Sequence, residues 1–165
     1  CRQTVSLVLA AVLAAARGER DAVTIHGDDY PTPDGTCVRD YVHVADLADA
    51  HLRALAWMAD GGASGAYNVG TGTPWSVRQV IDTVESVVGR PVPWTLGPRR
   101  EGDPAVLFAD GARIRRDFGW APRHSALVDL VTHTWRWRAA HPRGYDGEGA
   151  AHGTRPRRGS AAARP

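Results

Sequence analysis

The sequence predicts an α/β fold, and two observations lead to that prediction. Short runs rich in β-branched and aromatic residues alternate with longer segments whose apolar residues recur every three or four positions. Clusters of glycine and proline separate these segments, as expected for turns between strands and helices. The predicted strands are residues 23–27, 37–44, 66–70 and 92–96. They are too few and too short for a complete doubly wound sheet.

Five helices are predicted, and their ends carry the usual start and stop residues. An apolar helix over residues 5–17 ends at Gly18, and Asp46 is the expected N-cap of the next helix, which runs to about residue 59. Ser76 and Gln79 form a capping box for a helix over residues 77–88, and Gly89 is its C-cap. Two later helices are expected after Asp110, ending at Gly119, and after Ser125, ending before Pro142.

Charge and composition divide the chain into a globular part, residues 1–145, and a tail, residues 146–165, predicted to be disordered. The net charge of +2 arises at the C-terminal end, where residues 143–165 hold five arginines against two carboxylates. The remaining residues are therefore nearly neutral, and no nucleic-acid partner is expected. The apolar run at 5–16 is too short to span a bilayer, so no membrane partner is expected either. Two cysteines without a disulfide or metal-binding pattern indicate a cytoplasmic setting.

The segment from Gly27 to Asp46, GDDYPTPDGTCVRDYVHVAD, is the strongest candidate for a binding site. A Pro- and Asp-Gly-containing turn precedes an alternating stretch that predicts a strand. The alternation places Cys37, Arg39, Tyr41 and His43 on one face. A guanidinium and a phenol on one face form a plausible binding edge for an anionic ligand rich in hydroxyl groups.

A second candidate site lies at Arg99-Arg100-Glu101-Gly102-Asp103. Arginine grips phosphate oxygens with paired hydrogen bonds, and a carboxylate accepts hydrogen bonds from sugar hydroxyls. Taken alone, the segment is more typical of a surface charge cluster. Together with Arg39 it supplies the several cations that a diphosphate requires.

Other kinds of chemistry find little support in the sequence. All 20 basic residues are arginine, so a Tyr-x-x-x-Lys pair cannot be formed within the chain, and no catalytic residue is predicted. A strand followed by G-x-G-x-x-G is missing, because Gly70-Thr71-Gly72 leads into a loop. The seven histidines show no metal-ligand spacing, and no metal site is predicted.

The order of several motifs resembles UDP-glucose 4-epimerases of the extended short-chain dehydrogenase/reductase superfamily. They are GDDYPTPDGTCVRDYVHVADLADAH, YNVGTG, SVRQVI, GRPVPW, PRREGDP, FGW and TWRWRAAHPRGY. The similarity covers about Val8 to Tyr145 and corresponds to the C-terminal half of such enzymes. It implies an incomplete fold of that superfamily, mainly the smaller substrate-binding domain with little of the Rossmann sheet.

The resemblance also implies a function and residue roles. Such enzymes interconvert UDP-glucose and UDP-galactose through a 4-keto intermediate, hold NAD in an N-terminal domain that this chain lacks, and can form homodimers. By position, Arg39 and Arg100 would contact the diphosphate with Tyr41 nearby, and Asp103 would bind the ribose. Ile25 and His26 would lie along the uracil. The chain alone is then expected to bind a UDP-hexose without converting it.

Two alternatives remain: another nucleotide-sugar epimerase or dehydratase, and a non-catalytic UDP-sugar-binding module. The missing part of the family fold has a further consequence. Helices that normally cover it, such as residues 5–17, are expected to expose apolar surface.

Overall fold

The computed structural model describes residues 5–142, with side chains from residue 8 onward. Helices and strands alternate along the chain, which agrees with the predicted α/β class. The elements are α1 (Val5–Ala16), β1 (Val23–His26), β2 (Val38–Asp40), α2 (Val44–Ala59), β3 (Pro74–Ser76), α3 (Val77–Val88), β4 (Trp94–Gly97), β5 (Val106–Leu107), α4 (Ala112–Phe118) and α5 (Leu127–Ala140). The predicted tail at 146–165 lies outside the described residues.

The strands form two small sheets. β1 and β4 pair in parallel, with Ile25 opposite Leu96. In the second sheet β2 is central, antiparallel to β3 and parallel to β5. Because β2 has a neighbour on both sides, the residues that it carries are held more firmly than those of an edge strand. This places Arg39 in a fixed position.

The larger core lies where α1, α3 and α5 pack together with β1. On α1, Val12 and Leu13 are fully buried. The expectation that this helix exposes apolar surface is wrong for its buried side, which packs against α3, whereas a second set of its residues is partly exposed and lines a cavity: Val8, Ala10, Ala11 and Ala14. A smaller core is formed by Ala50 of α2, Ile114 of α4 and Trp120.

The caps of α3 agree with the sequence pattern. Both hydrogen bonds of the Ser76–Gln79 capping box are present, and Gly89 ends the helix in the left-handed conformation. Gly119 likewise ends α4 with a positive φ. At these positions the local sequence is sufficient, because the cap bonds join residues only a few positions apart.

Several predicted boundaries are wrong. The strand predicted over 37–44 ends at Asp40, and α2 begins at Val44 with His43 as its N-cap, because the His43 Nδ1 atom accepts a hydrogen bond from the Ala45 N–H. Asp46 consequently lies inside the first turn of α2. This shift by one turn carries the Asp46 carboxylate away from the helix end and toward another segment.

The two later helices also begin differently from the prediction. The N-caps are Gly111 and Ala126, one residue beyond Asp110 and Ser125, and neither makes a side-chain cap bond. The Asp110 carboxylate nevertheless accepts a hydrogen bond from the Ala112 N–H at 2.8 Å, so Asp110 contributes to the start of α4 as predicted. Residues 66–70 are not a strand, whereas Pro74–Ser76 pairs with β2 and was predicted as a loop. Within residues 5–142, no helix is long and apolar enough to cross a membrane.

Candidate functional site

A cavity of about 520 Å³ lies beside α1 and β1 and contains five of the six predicted site residues. These five are Ile25, His26, Arg39, Arg100 and Asp103. Small and apolar residues form most of the remaining wall: Val8, Ala10, Ala11, Ala14, Val23, Thr24, Gly27, Cys37 and Val77. The two sequence-predicted segments, which are about 60 residues apart in the chain, therefore meet in one place.

Arg39 and Asp103 form an ion pair at the cavity wall. The Arg39 Nη2 atom donates to Asp103 Oδ1 at 2.5 Å, and Nη1 donates to the Val38 carbonyl oxygen at 2.7 Å. Arg39 is only 7% exposed, so its charge needs these partners. The Cys37 thiol lies 3.8 Å from the other oxygen of Asp103. The pair fixes the orientation of the guanidinium group toward the cavity.

Two further guanidinium groups line the cavity, those of Arg100 and Arg20. Both residues are exposed, and neither guanidinium group makes a hydrogen bond or ion pair within the described part of the chain, although the Arg100 carbonyl oxygen accepts a hydrogen bond from the Asp103 N–H at 3.2 Å. Three arginines against the single carboxylate of Asp103 give this wall a net positive charge. Sequence reasoning missed Arg20. An exposed arginine in the turn before β1 has no local sequence signal that could have identified it.

Arg99 has a different role from its neighbour Arg100. Its Nε atom donates to Asp29 Oδ1 at 2.6 Å, and its guanidinium carbon lies 4.2 Å from the centre of the Tyr30 ring. The hydrogen bond from Arg99 lowers the pKa of the Asp29 carboxyl group. The pair of arginines is thus divided, with Arg99 holding the turn after β1 and Arg100 lining the cavity.

Tyr41, the sixth predicted site residue, does not line the cavity. It is buried in the larger core, and its hydroxyl group has no hydrogen-bond partner among the described residues. Burial raises the pKa of Tyr41 to about 12. Cys37, Arg39, Tyr41 and His43 are all buried, but only Cys37 and Arg39 line the cavity.

The residues at the Gly70-Thr71-Gly72 turn do not fit the pyrophosphate of a dinucleotide. The Asp40 carboxylate accepts hydrogen bonds from the Thr71 N–H at 2.9 Å and from the Thr71 hydroxyl group. The Asp40 carboxylate therefore takes the Thr71 donors, and its negative charge would repel a phosphate group placed at this turn. No group of three or more potential ligands in the described part of the chain has the arrangement of a metal site.

Comparisons with known proteins show which proteins this chain is similar to. The model of the NAD dependent epimerase/dehydratase family matches residues 2–70. UDP-glucose 4-epimerase from Streptomyces lividans is 49% identical over 138 residues, which are 84% of this chain and 41% of that protein. The chain is similar to part of a UDP-glucose 4-epimerase. The corresponding enzyme from Halalkalibacterium halodurans is 45% identical over 137 residues, 83% of this chain and 41% of its own length.

Solved structures give the same result for the fold. A UDP-glucose 4-epimerase from Stenotrophomonas maltophila with bound NAD and formylated UDP-arabinopyranose superposes with a TM-score of 0.79 at 43% identity, covering 82% of this chain and 40% of that one. The enzyme from Bifidobacterium longum in complex with NAD+ and UDP has a TM-score of 0.75 at 37% identity, with coverage of 84% and 41%. The chain thus spans about two-fifths of the length of the epimerases that it matches.

Proposed function

We propose that this chain is the UDP-sugar-binding part of a UDP-glucose 4-epimerase. Arg39 and Arg100 contact the diphosphate, and Asp103 accepts hydrogen bonds from the ribose hydroxyl groups. Ile25 and His26 lie along the uracil ring. These roles follow from the similarity to the epimerases and from the chemistry of the side chains.

The observation that carries the proposal is the meeting of these five residues in one cavity. A nucleotide sugar has an anionic diphosphate between a flat base and a hydroxyl-rich sugar. The cavity offers the matching groups, because guanidinium donors and a carboxylate lie beside an apolar wall formed by α1 and β1. Its volume also falls in the range of small-molecule sites.

Binding is tested by calorimetry with UDP. We expect Arg100→Ala to weaken binding about tenfold, because one charge-assisted hydrogen bond to the ligand is lost. Arg90→Ala is the matched control, since Arg90 is equally exposed and lies outside the cavity. Arg39 is a less suitable target because its removal leaves Asp103 without its partner. Equal affinities for the wild type and Arg100→Ala would contradict the assignment.

We further propose that the chain alone does not interconvert UDP-glucose and UDP-galactose. It contains no lysine, and its Gly70–Gly72 turn is bonded to Asp40 instead of being available to a dinucleotide. The purified chain is incubated with NAD and UDP-galactose, and no UDP-glucose is expected. Formation of UDP-glucose above a protein-free control would overturn this part of the proposal.

The similarity also allows two neighbouring functions, another nucleotide-sugar epimerase or dehydratase and a non-catalytic UDP-sugar-binding module. Titration with GDP and dTDP tests the first alternative. Tighter binding of either nucleotide than of UDP would indicate that the substrate carries that nucleotide instead of UDP. A cytoplasmic setting and a homodimeric full-length enzyme remain part of the proposal. Gel filtration tests the homodimer, using a full-length relative in which the matching segment is replaced by this chain.

A further inference from the structure

Three imidazole rings, those of His43, His124 and His133, lie together where α2 meets α5. The ring centre of His43 lies 5.0 Å from that of His124 and 5.1 Å from that of His133, and the remaining two centres are 5.8 Å apart. His43 is the N-cap of α2, His133 belongs to α5, and His124 lies in the segment just before α5. We call these three residues the histidine cluster. None of them lines the candidate binding cavity.

The hydrogen bonds of the cluster determine which ring nitrogens carry protons. The Nδ1 atom of His43 accepts from the Ala45 N–H at 3.0 Å, so this nitrogen has no proton. A neutral His43 ring therefore carries its proton on Nε2. This Nε2 atom lies 3.0 Å from the Nδ1 atom of His133, which must then be the acceptor. The chain of bonds from Ala45 through His43 to His133 can form only when both rings are neutral.

A proton added to either of these two rings breaks one of the bonds. On His43 the proton would occupy Nδ1 and remove the acceptor of the Ala45 N–H, which opens the N-cap of α2. On His133 it would occupy Nδ1 and face the Nε2–H group of His43, so that a donor lies against a donor. Two charged rings at this separation would also repel each other.

Two carboxylates near the cluster favour a charged ring and oppose this effect, that of Asp46 in α2 and that of Asp129 in α5. The Asp46 carboxylate already accepts hydrogen bonds from the backbone N–H groups of Arg123 and His124, at 3.0 and 2.9 Å. Burial, followed by the two neighbouring rings, outweighs both carboxylates and lowers the pKa of His43 below its ordinary value. Hydrogen bonding and charge thus both favour the neutral cluster in the folded chain.

The cluster lies between the two hydrophobic cores. α5 belongs to the larger core through residues such as Leu130, whereas α2 belongs to the smaller core through Ala50. In the described part of the chain, no buried residue is common to the two cores. Polar contacts join α2 to the α5 side, namely the His43–His133 bond and the two backbone bonds of the Asp46 carboxylate. A change of charge in the cluster therefore acts where the two cores are connected.

We propose that the histidine cluster is a pH switch that controls the contact between the two cores. With neutral rings, α2 and the smaller core are held against α5. When His43 or His133 takes up a proton, the bonded chain through the cluster breaks, and α2 with the smaller core separates from α5 while the larger core stays folded. The proposal does not depend on UDP binding, because no residue of the cluster lines the cavity.

Hydrogen exchange of the whole chain, followed by NMR at about pH 7.5 and about pH 5.5, tests the switch after correction for the pH dependence of free amide exchange. The reporting amides are those of Ala45, Arg123 and His124, which all bond to groups of α2 or its cap. One ring that is neutral in the closed form and has a pKa of about 6.5 when released raises the opening constant about tenfold over this range. The amides of Val80 and Val84 in the larger core should stay protected.

Two variants with the same added charge separate the cluster from the other histidines. His133→Lys places a permanent positive charge beside His43 and removes its acceptor, so we expect about tenfold more opening than in the wild type at about pH 7.5. His51→Lys is the matched control, because His51 is an exposed histidine of α2 outside the cluster, and it should leave the opening unchanged. His43→Asn keeps an N-cap acceptor without a titrating ring and should remove most of the pH dependence.

A measurement on the wild type alone covers the case in which a variant does not fold. The imidazole nitrogen chemical shifts show which ring nitrogen carries the proton, and at about pH 7.5 we expect Nε2 in both His43 and His133. A proton on Nδ1 of His43, an opening constant that does not change with pH, or equally faster exchange in α3 would each overturn the proposal. Equal opening in His133→Lys and His51→Lys would do the same.

Discussion

Replacing Asp46 by alanine tests the account of how α2 is held against the rest of the chain. The side chain is 3% exposed and accepts two backbone hydrogen bonds, from Arg123 and His124. Hydrogen bonds to a charged group contribute about 1.5–3 kcal/mol each. Water can reach part of the exposed Arg123 backbone in the variant, so the lower end applies. We expect Asp46→Ala to lower the free energy of unfolding by about 3 kcal/mol.

Urea denaturation followed by tryptophan fluorescence measures this loss, and Trp120 lies directly beside Asp46. The matched control is Asp49→Ala, three residues further along the same helix. Asp49 pairs with Arg53 near the surface, with both side chains about one-third exposed, so its replacement should cost less than about 1 kcal/mol. A loss below 1 kcal/mol for Asp46→Ala, or one no larger than for Asp49→Ala, would refute the anchoring argument.

The remaining predictions concern His43 and Tyr41. Burial, followed by the neighbouring His124 and His133, lowers the pKa of His43 below the ordinary 6.5, although Asp46 and Asp129 favour the charged ring. As the pH falls, His43 is therefore protonated in the unfolded chain before it is protonated in the folded one. Its contribution to the free energy of unfolding is fully present above about pH 6.5 and is lost as the pH drops toward the lower pKa of the folded state. His43→Asn keeps an N-cap acceptor but has no titrating ring. The free energy of unfolding of this variant should therefore fall less steeply than that of the wild type between about pH 8 and about pH 5. Parallel curves of unfolding free energy against pH for the two proteins would contradict this. For Tyr41→Phe we expect a free energy of unfolding that is unchanged or raised by about 1 kcal/mol, because the variant removes a buried hydroxyl group that has no partner among the described residues. The affinity of Tyr41→Phe for UDP should also be unchanged, and a loss of affinity would indicate that Tyr41 takes part in binding.

Local sequence patterns predicted the fold class and the helices well. The Ser76–Gln79 box and Gly89 act over a few residues, so their effect is visible in the sequence. Element boundaries that depend on distant partners were less predictable. Pro74–Ser76 becomes a strand only because β2 lies beside it, which the adjacent residues do not record. The start of α2 at Val44 rests instead on a local cap bond, but histidine is not among the residues usually expected at an N-cap.

Five of the six predicted residues line one cavity. Arg39, Arg100 and Asp103 could be named from their side-chain chemistry, whereas Ile25 and His26 could be named only from the family resemblance. Arg20 could not be named, since an exposed arginine in a turn has no local signature. Tyr41 was assigned by alternation along the strand. Alternation places it on the same face as Arg39 but does not tell whether the cavity or the core lies over that position.

The sequence by itself determined the α/β class, the capped helices and the candidate residues that line the cavity. Only the tertiary structure decided where these residues meet, that one side of α1 packs against α3 and that leucines of α2 such as Leu52 and Leu55 are exposed. The reason is physical: a hydrophobic period shows that a helix has an apolar face, whereas the direction of that face depends on contacts with distant segments. For α2 those contacts are the bonds of Asp46 and Arg53, which turn its leucines outward.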